Sequence, residues 1–137
     1  MVIAVIQYAV HTVVFLRARP RHGADEVNLV EMMKSLQWNF GGSERSYWDF
    51  YFGYGMVAIL MGLLEILLLW FLSGLLARNP REALPFLMVT AVITVFHILI
   101  TLKFFFALPA SFDIAVTLFI LLAYLAARKE SVTGPHA

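Results

Sequence analysis

Apolar residues run along this chain in four blocks, at about 2–16, 48–77, 84–107 and 114–127, separated by short polar segments. The middle two exceed the roughly 20 residues a helix needs to cross hydrocarbon. The fourth reaches that length only if it begins near Ala110. The first would extend about 24 Å at 1.5 Å per residue. It has neither a basic lead nor a small-x-small cleavage site before Arg17-Ala18-Arg19-Pro20-Arg21, so it reads as a short transmembrane helix rather than a secretory signal. The expected fold is all-α, an integral-membrane four-helix bundle with spans at about 1–17, 47–77, 80–107 and 110–128. Residues 131–137, polar and ending near Gly134-Pro135, are expected to be a disordered tail.

Capping chemistry marks the boundaries. Asn79-Pro80-Arg81-Glu82 offers an N-cap, a proline at the first helical position and a glutamate at N3, which opens the third span. Ser46-Tyr47-Trp48-Asp49 opens the second in the same way, with Asp49 as the returning acid. Pro109 and Ser111 mark a turn before the fourth. Between the first two spans, Asn28-Leu29-Val30-Glu31 resembles another capping box, and Leu29, Met33, Leu36 and Phe40 recur at i, i+4, i+7 and i+11. That pattern predicts an amphipathic helix over about 29–39, ended by Gly41-Gly42 and lying along the membrane interface, as a cap or a lid. Aromatic residues then crowd together from Trp38 to Tyr54, as at headgroup depth.

Composition agrees with the blocks. Of 137 residues, 61% are apolar and 14% charged, against about 45–50% and about 25% in soluble domains. A net charge of +1 argues against a nucleic-acid partner, which needs a basic face. Without cysteine there is no thiolate chemistry. Basic residues flank both sides of the spans, so the positive-inside rule leaves orientation open.

The candidate chemistry lies in the few polar residues inside the blocks. Glu65 sits in the apolar run 56–72, where an ionised carboxylate costs roughly 2.5–3.5 kcal/mol and normally faces protein. Thr90, Thr94, His97 and Thr101 form one stripe of the third span. Asp113, Thr117 and Tyr124 form one on the fourth, Gln7 and His11 one on the first, and Tyr47, Tyr51, Tyr54 and Glu65 one on the second. Such stripes are expected to turn inward. Counting from a turn near residue 80 puts Glu65 and His97 at similar depth, an acid–imidazole pair able to hold helices together or shuttle a proton. Asp113 is expected to pair with Lys103 across the next turn. Among the threonines, helix-bonded packing competes with a ligand wall. A zinc site from His11, His97 and Glu65 lacks ligand spacing, so neither metal nor cofactor is expected.

The segment Ser46-Tyr47-Trp48-Asp49-Phe50-Tyr51-Phe52-Gly53-Tyr54-Gly55 resembles the signature of a family of small bacterial four-helix membrane proteins that has no assigned activity. The layout is also similar to DoxX-like proteins. Pro85, Thr90, Thr94, His97 and Thr101, with Glu65 in the preceding span, resemble the pattern of the emopamil-binding and sigma-2-receptor-like (EXPERA) proteins. Those bind sterols and amphiphilic amines or isomerise a sterol double bond. The first resemblance implies the bacterial inner membrane. The third implies lipophilic ligands, although the first helix here lacks the acid that family often carries.

Together these readings lead to an expected intramembrane site for a small lipophilic ligand, drawn from Glu65, His97, Tyr54, Thr94, Thr101, His11, Gln7 and Thr117. The competing expectations are a lipid-modifying enzyme using Glu65 and His97, and a non-catalytic subunit of a larger membrane complex. The partners expected are the bilayer, a lipophilic molecule, and a membrane protein or a second copy of the chain.

Overall fold

The computed structural model describes residues 1–133. Helix α1 covers Val2–Leu16, α2 Ala24–Ser35, α3 Tyr47–Arg78, α4 Pro80–Phe104 and α5 Ala107–Thr133; strands β1 (Gln37–Phe40) and β2 (Ser43–Ser46) lie between α2 and α3. Helices α3, α4 and α5 are long and apolar enough to cross a membrane, and α1 is apolar but shorter. They mark the chain as an integral membrane protein. The fold is all-α apart from the small hairpin.

The chain forms two compact units. One comprises Met1–Tyr8 and the chain from Leu63 onward; the other is Ala9–Gly62. In the first unit, α4 and α5 are the closely packed pair. Most of their buried positions are small, Ala83, Ala91, Thr90, Thr94 and Thr101 on α4 and Ala110, Thr117 and Ala127 on α5, with Leu87, Val116 and Ile120 among them. Small side chains let helix backbones approach where lipid removes the hydrophobic drive to associate. Ala4 of α1 and Leu69 and Leu72 of α3 complete this core. The Asn79 side chain accepts from the Glu82 amide at 3.3 Å and Pro80 follows it, so α4 starts where the capping pattern places it.

In the second unit, the Ser46 amide donates to Asp49 Oδ2 at 2.8 Å and the Asp49 amide to Ser46 Oγ at 3.2 Å, the reciprocal cap expected for α3. Helix α1 and the start of α3 meet at Phe15 and Gly55, where a Cβ on Gly55 would fall inside the Phe15 ring. Phe15 also stacks on Phe52, with centroids 5.5 Å apart.

The helix between the first two apolar blocks differs from expectation. It runs from Ala24 to Ser35, not over 29–39, and its less exposed side is Glu26, Val30 and Met33. Residues 37–40 instead pair antiparallel with 43–46, Phe40 opposite Ser43. Gly41 and Gly42 have φ of 60° and 89°, the left-handed pair that a two-residue hairpin turn requires. The two glycines thus close a hairpin, and the Asn39 side chain accepts from the Gly42 amide at 2.9 Å. Edge-on ring contacts tie the strands to α3: Trp38 to Tyr47 at 4.9 Å and Phe40 to Phe50 at 4.7 Å. At the other end, residues 131–133 are helical where a disordered tail was expected, and 134–137 lie outside the described residues.

Candidate functional site

Asp113 is the centre of the polar interior. It sits one and a half turns into α5 with only 5% of its surface exposed. Gln7 Nε2, from α1, donates to its Oδ1 at 2.6 Å. Thr101 Oγ1, from α4, donates to its Oδ2 at 3.1 Å. His97 Nδ1, also on α4, stands 3.5 Å from Oδ1. That is long for a hydrogen bond but within ion-pair reach. One carboxylate therefore joins three helices.

The turn explains why these groups meet. Helix α4 ends at Phe104 and α5 begins at Ala107, earlier than the expected start near 110. Thr101 lies one turn before the break and Asp113 nearly two turns after it, and their side chains meet across it. Lys103 lies nearer the break, and its Nζ sits 5.2 Å from the centre of the Phe104 ring. The expected Lys103–Asp113 ion pair gives way to neutral donors.

Glu65 also finds a partner other than the one expected. The Tyr8 hydroxyl donates to Glu65 Oε2 at 2.6 Å, while the contact made by His97 is with Asp113. Depth along the hairpin does not choose a partner; the facing of each helix does. His97 lies at the edge of the buried threonine stripe, with 46% of its side chain exposed, whereas Glu65 is half-buried. The donors to the two acids, Gln7 and Tyr8, are consecutive on α1, so the two acids belong to one seam.

The other expected residues separate into distinct roles. Thr94 Oγ1 donates to the Ala91 carbonyl at 3.0 Å and Thr117 Oγ1 to the Asp113 carbonyl at 2.8 Å, both within their own helices. These hydroxyls satisfy themselves on backbone, which is the packing role. Tyr54 is 72% exposed, as are Tyr47 and Tyr51 to a lesser degree, so the tyrosine stripe of α3 does not turn inward. His11 is exposed and stacks on Phe15 with centroids 6.1 Å apart. Gln7 alone of the α1 pair enters the seam. Among the described residues, no cluster of three His, Asp or Glu side chains is placed to hold a metal.

Two positions carry more of the seam than their sequence surroundings suggest. Tyr8 shares a face with Ala4 and Gln7 at i, i+3 and i+4 spacing, the signal that points it inward. Asp113 belongs to an inward stripe, yet Lys103, near in sequence, offers it a partner across the turn that the structure does not use.

An apolar groove of about 150 Å³ adjoins the seam, lined by Ile3, Leu69, Leu72, Leu87, Val116 and Ile120 among others. Ile3 is four residues from Gln7, and Leu69 is four from Glu65, so each lies one turn away on the same helix face. A second groove, of about 300 Å³ between α4 and α5, is lined by Met88, Val92, Val95, Phe96, Leu121 and Tyr124 with Ala91. No family model matches the chain, and neither a curated protein nor a solved structure matches it.

Proposed function

We propose that this chain is a bacterial inner-membrane protein whose α1, α3, α4 and α5 cross the bilayer as a four-helix bundle. In this reading α2 and the hairpin lie along the interface. Its role is to hold a small lipophilic molecule with a polar end. The observation that carries the reading is the stacking of polar seam on apolar groove. Gln7, Glu65 and Asp113 lie about one helical turn from Ile3, Leu69 and Val116 of that groove, and His97 joins them through Asp113. Sites for such molecules combine apolar walls with a few convergent polar groups. His97 supplies the accessible contact: Nδ1 faces Asp113, and the half-exposed ring leaves Nε2 to meet a ligand hydroxyl or carbonyl.

The test is mass spectrometry of small lipophilic molecules that co-purify with the protein in detergent. Ile3→Trp fills the groove, and His97→Ala removes the polar contact without emptying a packed position. Each is expected to reduce a specifically retained species about tenfold while helicity and unfolding temperature hold. A lipid profile identical in parent and variants refutes the reading.

A second reading, acid–base chemistry on a lipid, is favoured by the His97–Asp113 geometry. A carboxylate beside Nδ1 fixes the imidazole orientation while Nε2 exchanges a proton with a substrate. Glu65, held by Tyr8, is then the second titratable group rather than the partner of His97. The resemblance to sterol-binding and sterol-isomerising proteins supports both readings. A third, an accessory subunit, draws support from α3, most of whose apolar side chains are exposed.

A further inference from the structure

The segment joining α1 to α2 carries Arg17, Arg19 and Arg21 within five residues of the end of an apolar helix. All three are exposed. Among the described residues none of their guanidinium groups makes a hydrogen bond or an ion pair. The nearest acid in sequence that could neutralise them, beyond exposed Asp25, is Glu26, and its carboxylate is otherwise engaged. Glu26 Oε2 accepts the Arg21 and His22 amides and lies 3.0 Å from the His22 ring. It pins the backbone of the segment and leaves the guanidiniums open. Pro20 adds stiffness, since it fixes its own φ and holds Arg19 extended.

The surroundings say which anion is met. The last turns of α1 expose Val13, Val14 and Leu16, a surface suited to acyl chains. The same compact unit carries the aromatic group Trp38, Tyr47, Trp48 and Tyr51, with the Lys34 ammonium 4.6 Å from the Trp48 ring centre. Aromatic rings of this kind settle at headgroup depth. Guanidiniums there face lipid phosphates, to which arginine binds through paired donors. We propose that Arg17, Arg19 and Arg21 form a binding site for the headgroup of an anionic phospholipid.

The full chain, reconstituted in nanodiscs of equimolar phosphatidylglycerol and phosphatidylcholine, tests this by native mass spectrometry of lipid retained after release. The parent is expected to keep phosphatidylglycerol in preference to phosphatidylcholine. The triple variant Arg17→Gln/Arg19→Gln/Arg21→Gln is expected to lose most of that preference, about tenfold. The double variant Arg78→Gln/Arg81→Gln, altered elsewhere, keeps it. Circular dichroism checks that each variant retains its helices. Added inorganic phosphate at millimolar concentration is expected to leave retention unchanged, as a site built for a lipid headgroup requires. Equal retention of the two lipids by the parent, an unchanged preference in the triple variant, or displacement by phosphate overturns the proposal. The seam and groove reading is tested separately, because neither Ile3 nor His97 belongs to this segment.

Discussion

At the scale of single residues, the seam rests on two short contacts made by neighbours on α1. Tyr8 holds Glu65 and Gln7 holds Asp113, each at 2.6 Å. Interhelical hydrogen bonds in membranes average about 0.6 kcal/mol and reach about 1.7. Tyr8→Phe removes one donor and little volume, so it is expected to fall within that range, read as a lowered unfolding temperature in detergent. Asp113→Ala is expected to be more damaging, because it strands Gln7 and Thr101 as well as His97; a buried polar group left without its partner costs about 1–3 kcal/mol. Asp113→Asn keeps an acceptor oxygen and should lie between the two. If Tyr8→Phe proved the more harmful, the centre of the seam would be Glu65 instead. That acid was conspicuous in sequence because it lay in an unbroken apolar run. Asp113 was less so, since a nearby lysine offered an easy partner and only the position of the α4–α5 break shows why the two do not meet.

Helices α3 and α4 were legible because their starts are written in side chains, Ser46 with Asp49 and Asn79 with Pro80 and Glu82. The bounds of helix α2 are less legible for the opposite reason. Its N-cap, Gly23, has no capping side chain, so the start gives no signal at the cap itself. Its apparent stripe ran on through Leu36 and Phe40 into residues that pair as a strand. Period alone cannot separate the last turn of a helix from a short strand; the Gly41-Gly42 turn does. What anchors the α2 entrance is Glu26, whose carboxyl is held below its usual range, first by the His22 amide and then by the Arg21 amide. A lowered folded value means that the ionised form is the stabilising one. Its contribution is complete at neutral pH and is lost as the pH falls through and below the ordinary glutamate range of about 4. Hydrogen-exchange protection at the Arg21 and His22 amides is therefore expected to fall on acidification. In Glu26→Gln it should be low and nearly independent of pH. Protection in the parent that does not change across this window would mean that the carboxylate does not anchor the segment.

For the whole molecule, cysteine labelling tests whether α1 crosses the bilayer alongside the three longer helices. At 15 residues it extends about 22 Å, short of the roughly 30 Å of hydrocarbon. Its beginning nonetheless packs in the groove beside Leu72 and Leu76 of α3, toward the Arg78 end of that helix. Its other end carries Arg17 and the exposed arginine segment, which hydrocarbon does not admit. A short helix meets such a mismatch by local thinning of the bilayer or by flanking side chains reaching to the interface, and arginine is suited to the second. The chain has no cysteine, so single-cysteine variants can be made without other changes and labelled with a membrane-impermeant maleimide from one side of sealed vesicles. Ser111 lies near the start of α5, and Ser131, near its end, is bonded through its carbonyl to Arg81 at the start of α4. Ser111→Cys and Ser131→Cys are therefore expected to react from opposite sides. If α1 crosses, Ala18→Cys reacts from the side of Ser111→Cys. Reaction from the Ser131 side would make α1 a helix that enters and returns. Asp113 would then be held by a helix that does not span, and α1 could leave the bundle to admit a ligand without dragging charge across the membrane.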